Sequence, residues 1–364
     1  MILEIFEKLK EHMTVSGYET VNAEKVRDTA LEYTGSFFEK SEITKSGSVI
    51  LYHRSKDKNA RTLLLDAHID TIGLTVSEIC GDGFIRCASC GGIDRRILTT
   101  AEIDIHGKEK IRGLFASVPP HLTNKNGENT LPDLADLLVD TGKSDEELKS
   151  LISVGDPCTF VGETARLLGG RITSAHLDDK ICCAAILCAC KKVCDEDSDC
   201  NVTVLLSSGE ETREGGAKTA AFITEADGCI ALDVNFAKEK GVPDYQSSKI
   251  GDGAMISRSA VTDKRMTDIV ISCAKEAGIP CKVIAEATGT GTNADAIEVS
   301  NKGTPTAVLS VPIKYMHTPC ELCSTEDVEC VCDILVNVIK NFDRMSREKE
   351  TLLGVRVLKG GIGE

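Results

Sequence analysis

Apolar residues follow two different patterns along this chain. Over most of its length, runs of leucine and β-branched residues alternate with amphipathic stretches of helical period, whereas a central segment contains only short β-like runs. Continuous apolar runs are typical of parallel strands that are covered on both faces. The pattern therefore predicts an α/β fold that is interrupted by an inserted β-rich segment.

The alternating part of the chain predicts individual helices and strands. Helices are expected at 2–12, 21–33, 181–194, 216–224, 263–277 and 325–341. Strands are expected at 41–44, 49–52, 202–207, 229–233 and 305–311, with a further strand leading to His68. This order predicts a parallel sheet with helices packed on it.

The central segment has a different composition. Its short β-like runs, at 74–79, 84–87, 102–105 and 114–117, are separated by Gly, Asp and Pro, with one helical patch at 144–152. This spacing favours a small barrel over βαβ units. We therefore expect a discontinuous catalytic domain at 1–73 and 166–345, an inserted β-rich domain at 74–165, and a C-terminal tail at 346–364.

Several apolar runs end in side chains that can bind metal ions. In open α/β sheets, functional groups lie just beyond the carboxyl ends of the strands. The residues in these places are His68 and Asp70, Glu210 and Glu211, Asp233, and His317, with Asp178 just before a predicted helix. A lone Glu-Glu pair would suit a solvated turn, but the whole set offers the imidazole and carboxylate ligands of zinc, cobalt or manganese.

Composition and charge exclude several classes of function. The 364 residues are 41% apolar and 27% charged, which is typical of a soluble globular protein. A net charge of −15 without a basic tract argues against nucleic acid and anionic membranes as partners. The first residues lack the features of a signal peptide, and no apolar run has transmembrane length, so a cytoplasmic location is expected.

The chain contains seventeen cysteines, an odd number that does not describe a disulfide framework. Two C-x-x-C pairs, Cys87/Cys90 and Cys320/Cys323, could form a structural zinc site, but they are far apart and lack a zinc-knuckle context. Most of the others, such as Cys182 and Cys188, lie in apolar stretches. Such cysteines are expected to be small buried apolar residues.

The chain resembles the M42 metallo-aminopeptidases, which include glutamyl and deblocking aminopeptidases. The resemblance covers nearly the whole chain and rests on Ser16-Gly17-Tyr18-Glu19, Ala67-His68-Ile69-Asp70, Leu138-Val139-Asp140-Thr141-Gly142, Leu177-Asp178-Asp179-Lys180, Glu210-Glu211, Asp233 and Tyr315-Met316-His317-Thr318-Pro319. The insertion between His68 and Asp178 points to M42 among related exopeptidases. The resemblance implies a zinc-exopeptidase-like α/β/α sandwich, an inserted dimerisation domain and, in many members, a hollow dodecamer.

The resemblance also implies the chemistry. It implies removal of N-terminal residues from peptides by two divalent ions, zinc or cobalt, that are held by His68, Asp178, Glu211, Asp233 and His317. Asp178 would bridge the ions, Glu210 would be the general base, and Asp70 would orient His68. The chain departs from the family pattern at Thr71, Gly209, Cys182, Asn293 and Lys314, none of which is a ligand or the base. These departures are expected to affect specificity more than reaction type.

Two other functions are compatible with parts of the sequence. Some M42 members have been labelled endoglucanases, but a glycoside hydrolase would leave His68 and His317 without a role. A non-catalytic peptide-binding or assembly protein could keep the fold, although the ligand set and Glu210 are complete. His176 is expected to be structural or exposed, and His121 could lie on a loop that reaches an active site. The Gly289–Thr292 stretch lacks a following Lys-Ser/Thr and is expected to line the substrate cleft.

Overall fold

A computed structural model of the protein describes residues 1–119, 131–194 and 198–353. The helices are α1 (Ile2–Lys10), α2 (Ala23–Thr34), α3 (Asp145–Leu151), α4 (Leu177–Val193), α5 (Glu210–Arg213), α6 (Gly215–Thr224), α7 (Lys264–Glu276), α8 (Ala294–Ile297) and α9 (Thr325–Leu353). The strands are β1 (Lys40–Ile43), β2 (Val49–His53), β3 (Thr62–His68), β4 (Gly73–Ile79), β5 (Phe84–Cys90), β6 (Glu102–His106), β7 (Lys110–Phe115), β8 (Val139–Asp140), β9 (Pro157–Phe160), β10 (Ala165–Leu167), β11 (Arg171–Ser174), β12 (Asn201–Ser207), β13 (Gly228–Phe236), β14 (Ala254–Arg258), β15 (Cys281–Ala285), β16 (Thr306–Ile313) and β17 (Glu321–Ser324). Among the described residues, no helix is both long enough and apolar enough to cross a membrane.

The largest sheet runs in the order β1-β2-β12-β3-β13-β16-β14-β15. Strands β12, β3, β13 and β16 are parallel neighbours, so their carboxyl ends meet at one edge of the sheet. All seven residues of β12 are buried, as expected of a strand that is covered on both faces.

Helices cover both faces of this sheet. On one face, α4 packs against α1, α2 and α9, and every residue of α4 from Leu177 to Cys190 is buried. On the other face, Ala217 of α6 and Ile297 of α8 pack against Leu64 and Leu205 of the sheet. The α/β/α sandwich expected from the resemblance is therefore confirmed.

The inserted segment forms a closed barrel in the strand order β4-β5-β8-β7-β6-β9. A hydrophobic core of its own fills it, with Leu74, Ile103 and Phe115 among the buried residues. The strand expected at 114–117 lies instead at Lys110–Phe115. Exposed residues alternate with buried ones along β7, so the strand lacks the continuous apolar run from which a strand is predicted. The barrel confirms the expected fold class, while the domain boundaries at 74 and 165 stay a prediction.

A small antiparallel sheet, β10-β11-β17, was not expected from the sequence. In it, Ser174 lies opposite Glu321, and Arg171 lies opposite Ser324. Leu322 also pairs with Lys314, just beyond β16. The sheet thus places the chain before Asp178 beside the chain after His317.

Candidate active site

The five side chains expected to bind metal lie at the carboxyl edge of the large sheet. His68 ends β3, Asp233 lies in β13, and Asp178 is at the start of α4. Glu211 lies in α5, which follows β12, and His317 lies in the loop between β16 and β17. Three groups have donor atoms within 4.8 Å of one another: His68, Asp178 and Asp233; His68, Glu210 and Glu211; and Asp178, Glu211 and His317.

Asp178 belongs to two of these groups. Its Oδ1 is 3.1 Å from Nε2 of His68, and its Oδ2 is 3.3 Å from Nε2 of His317. The same nitrogen of His317 is 3.3 Å from Oε2 of Glu211. On the other side, Nε2 of His68 is 3.8 Å from Oδ1 of Asp233. One carboxylate therefore faces two imidazoles that belong to different groups.

The charges of the site are strongly coupled. Burial, reinforced by the charge of Asp178, raises the pKa of Glu210 to about 7 and the pKa of Glu211 to about 8. Burial works against the charged form of Asp178, but hydrogen bonds from His317 and His68 outweigh it and hold the pKa of that carboxyl below its ordinary value. Burial likewise opposes the charged form of His317, yet Asp178 and Glu211 raise its pKa to about 9. The carboxylates of this site therefore have too little positive charge around them for all of them to be ionised.

The residues present fit divalent metal ions. Within the described part of the chain, Oε1 of Glu211 and both carboxylate oxygens of Asp179 are buried without a hydrogen-bond partner. A carboxylate in such a place is stable when a cation or a proton lies beside it. Imidazole nitrogens and carboxylate oxygens together are the donors that zinc, cobalt and manganese accept. A bound cation would supply the missing positive charge.

The turn that carries Glu210 and Glu211 is anchored by two other acids. The N–H groups of Glu210 and Glu211 donate to Oδ1 and Oδ2 of Asp70, each at 3.1 Å. The N–H of Gly209 donates to Oε1 of Glu19 at 2.8 Å. Gly209 has a φ of 73°, a left-handed conformation that glycine adopts without steric cost. Burial and the charge of Asp70 raise the pKa of Glu19 to about 7.

Asp70 also contacts His68, although mainly through its backbone. Nδ1 of His68 is 2.9 Å from the carbonyl oxygen of Asp70 and 3.7 Å from its carboxylate Oδ1. A hydrogen bond from Nδ1 to this carbonyl leaves Nε2 as the nitrogen that faces Asp178. The carboxylate of Asp70 instead accepts hydrogen bonds from the backbone N–H groups of the turn that carries Glu210.

Sequence reasoning missed Glu321, a buried acid at the start of β17 that is only 2% exposed. Its Oε2 accepts the N–H of Asp178 at 3.1 Å, and its Oε1 accepts the N–H of His317 at 2.9 Å. Burial raises the pKa of Glu321 well above its ordinary value. A signal existed in the sequence, because Glu321 follows His317 by four positions and directly precedes the apolar Leu322 and Cys323.

Asn293, a departure from the family pattern, lies beside a buried acid of β3. Its Nδ2 donates to Oδ2 of Asp66 at 2.9 Å and contacts Oγ of Ser207 at 2.8 Å. Burial raises the pKa of Asp66 to about 6. The amide of Asn293 therefore gives this buried carboxylate a neutral hydrogen-bond donor.

The other candidate residues that the structure describes lie apart from these groups. His176 lines a separate cavity of about 620 Å³ between α1 and the barrel, where burial, together with the charge of Lys180, lowers its pKa to about 3. His121 lies outside the described residues. All seventeen cysteines are free, and no cysteine belongs to the metal-ligand groups found in the described ranges.

Known proteins resemble this chain along most of its length. The family model described as "M42 glutamyl aminopeptidase" matches residues 47–334. Lysyl aminopeptidase of Pyrococcus furiosus is 29% identical over 90% of this chain and 93% of its own length. Glutamyl aminopeptidase of Lactococcus lactis is 24% identical over 87% of this chain and 90% of its own.

Solved structures of peptidases also resemble the chain along most of its length. Aminopeptidase APDkam598 from Desulfurococcus kamchatkensis superposes with a TM-score of 0.87 and 26% identity, covering 100% of this chain and 99% of that one. The Pyrococcus horikoshii TET1 peptidase, which can assemble into a tetrahedron or a large octahedral shell, gives a TM-score of 0.81 and 26% identity over 93% of this chain and 99% of its own. The family match covers most of the sequence, so the chain belongs to the M42 glutamyl aminopeptidase family and is a peptidase.

Proposed function

We propose that this peptidase removes N-terminal residues from peptides with the help of two divalent ions, zinc or cobalt. The ions would be held by His68, Asp178, Glu211, Asp233 and His317. The observation that carries the proposal is the carboxylate of Asp178, whose two oxygens face the imidazoles of two different ligand groups. A shared carboxylate suits a pair of ions about 3.5–4 Å apart.

Glu210 is proposed as the general base. When bound, two divalent ions lower the pKa of water and polarise the carbonyl under attack. Oε2 of Glu210 is 3.8 Å from Nε2 of His68, so this carboxylate borders the ligand atoms. It would accept a proton from the attacking water and pass it to the leaving amine nitrogen, which returns Glu210 to its starting state.

Asp70 and Glu19 would position the base. Three consecutive backbone N–H groups, those of Gly209, Glu210 and Glu211, donate to the carboxylates of these two residues. Such contacts fix the direction in which the Glu210 side chain leaves the turn. Asp70 would also orient His68 through its backbone carbonyl.

One experiment tests the metal and the base together. Metal content is measured by elemental analysis, and activity is measured on a panel of aminoacyl-p-nitroanilides. Asp178→Ala is expected to lose both ions, because one carboxylate serves both. Glu210→Gln is expected to keep the metal while kcat falls by roughly 10²–10⁴.

The exposed Glu276 offers a matched control, since Glu276→Gln removes the same charge outside the site. Full metal content in Asp178→Ala would contradict the ligand assignment. Activity of Glu210→Gln within about threefold of the unchanged protein would show that Glu210 is not the base, since loss of a general base typically costs far more.

The alternatives receive less support. A glycoside hydrolase of the usual kind needs two carboxylates on either side of a sugar, and the imidazoles of His68 and His317 would have no part in it. A non-catalytic assembly protein would have no need of Glu210 beside the ligand atoms. Hydrolysis of cellulose would favour the glycoside hydrolase, and hydrolysis of no substrate would favour the non-catalytic assembly protein.

We also propose that the chain forms a homo-oligomer, with dimers made through the barrel and a dodecamer built from them. The shell-forming Pyrococcus horikoshii relative supports assembly, and the barrel has a core of its own that leaves its outer surface available for an interface. A net charge of −15 is compatible with a soluble particle of that size.

A further inference from the structure

A pocket beside the metal-ligand groups carries a concentration of positive charge. It has a volume of about 410 Å³, and Arg171, Lys238, Lys249 and Lys314 line it together with Tyr315. None of the described residues that line it is an acid. The chain as a whole has a net charge of −15, so a pocket formed by four cations departs sharply from the rest of the molecule.

Three of the four cations form no salt bridge within the described part of the chain, although the charge of Asp244 also acts on Lys249. Lys238 forms an ion pair with Asp244 at 2.8 Å, whereas Arg171, Lys249 and Lys314 form none. Like charges in one pocket repel each other, by about 1 kcal/mol for a pair at 4 Å in water and by more where water is excluded. A bound anion would remove this repulsion.

The pocket adjoins the proposed metal centre. Lys314 and Tyr315 precede His317 by three and two positions in the same loop. Arg171 and Leu322 share one face of the small sheet, and Glu321, which holds the backbone of Asp178 and His317, points to its other face. The three chain positions between Lys314 and His317 span at most about 10 Å. An extended peptide covers that distance in about three residues.

We propose that this basic pocket binds a carboxylate of the peptide substrate that lies two or three residues beyond the scissile bond. The inference rests on the proposed aminopeptidase function. The carboxylate can be the C-terminus of a short peptide or an acidic side chain at that position. Arg171 offers the forked donor that matches a carboxylate, and the lysines add point charges. Tyr315, which is 50% exposed, offers a ring for the intervening residues.

Four peptides test the proposal and separate the two sources of the carboxylate. The first pair is Ala-Ala-Ala-Ala as the free acid and as the amide. The second pair is Ala-Ala-Glu-Ala amide and Ala-Ala-Gln-Ala amide. We expect kcat/KM to be about tenfold higher for at least one charged member over its neutral partner at low salt, and about twofold higher in about 0.5 M NaCl.

The variant Arg171→Gln/Lys249→Gln is expected to lose most of this preference. The control Lys58→Gln/Lys275→Gln removes the same net charge from exposed positions elsewhere and is expected to keep it. If the double variant keeps the full preference, or if the control loses it equally, the pocket is not the binding site.

A second measurement separates this proposal from the proposed function. The same peptides are titrated by calorimetry into the full-length Glu210→Gln protein, which gives the ratio of dissociation constants without turnover. If the unchanged protein hydrolyses no peptide but the Glu210→Gln protein still binds the charged peptides more tightly, the proposed function is contradicted and the pocket is supported. A ratio near one for both pairs overturns the pocket, whatever the activity. A charge preference confined to the N-terminal residue, seen with glutamyl-p-nitroanilide, would also overturn it.

Discussion

Glu321 accepts hydrogen bonds from the backbone of Asp178 and of His317, two proposed ligands that are distant in the chain. Glutamine at this position keeps the shape, but only one of its terminal atoms can accept, so one N–H loses its partner. We expect Glu321→Gln to weaken metal binding by about 10- to 100-fold, the usual cost of losing a group that orients a ligand. Competition with a chelator of known affinity measures this change.

The nearby Glu326 is exposed and serves as the control, since Glu326→Gln leaves both hydrogen bonds of Glu321 in place. Equal metal affinity in the two variants would show that the ligands keep their positions without Glu321. A fall in activity without a fall in metal affinity would assign Glu321 a different role.

Asn293 and Asp66 form a matched pair in the core. Asn293→Asp would place a second acid 2.9 Å from Oδ2 of Asp66, where both side chains are buried. We expect the free energy of unfolding to fall by about 2 kcal/mol or more, because a buried hydrogen bond becomes a contact between two acids. The exchange Asp66→Asn/Asn293→Asp keeps one acid and one amide and is expected to recover most of the loss. Urea denaturation of the unchanged protein and the two variants measures the effect, and equal midpoints would contradict it.

Sequence alone identified side chains that follow apolar strands, because a strand end is a local feature. His68, Asp233 and the Glu210–Glu211 pair were found in this way, and the structure brings them together. The same pattern did not reveal the roles of Glu19 and Glu321, whose partners Gly209 and Asp178 are 190 and 143 positions away. Contacts across such separations depend on how the whole sheet is assembled, which no local period describes.

Among the structural elements, the turn from β12 into α5 places the proposed base. Gly209 adopts a φ of 73°, and an added Cβ there would meet only Oγ1 of Thr212 at 3.9 Å. Substitution is therefore opposed by backbone strain and not by a clash. We expect Gly209→Ala to lose about 1–2 kcal/mol of stability, the cost of left-handed backbone for an ordinary residue. Gly209→Asn is expected to lose less, because asparagine tolerates that conformation.

Thermal unfolding and kcat/KM of the two variants measure the strain. Because the turn carries Glu210, alanine is expected to lower activity more than asparagine does. Equal melting temperatures for the alanine and asparagine variants would show that the left-handed conformation at position 209 does not limit their stability.

The main helices and the central strands lie where the sequence pattern predicts them, whereas the strands at the β15 edge of the large sheet were not predicted. β12 and β16 are long buried runs, which is why they were expected. The sequence pattern did not predict β14 or β15, and β15, at the outside of the sheet, has a mixed burial pattern in which Val283 and Ala285 are exposed. α9 extends to Leu353, past the expected end at 341, because its buried face continues through Phe342 and Met345. Ion pairs of Arg344 with Glu348 and of Arg347 with Asp343 add support on its exposed side.

At the scale of the whole molecule, the barrel adds a second core, and none of its described residues adds a side chain to the ligand groups. If it serves assembly, the full-length protein will sediment as a species larger than a monomer at micromolar concentration. Replacing residues 74–165 with a short Gly/Ser linker is expected to yield a smaller species. Analytical ultracentrifugation measures both, and circular dichroism shows whether the shortened chain remains folded.

A full-length protein that sediments as a monomer would reject assembly, although not the peptidase function. If the shortened chain does not fold, charge-reversing substitutions on the exposed surface of the barrel provide the same test in an intact protein. The cytoplasmic location expected from the sequence stays a prediction.

The hydrogen bonds of Glu321 have a consequence for how the enzyme comes into being. His68 is synthesised early, but His317 and Glu321 follow only after most of the described chain has left the ribosome. Until then, the backbone at Asp178 lacks the acceptor that holds it, and the second imidazole is missing. A nascent or prematurely terminated chain that stops before His317 therefore lacks part of the proposed metal centre, and no such fragment is expected to cut peptides.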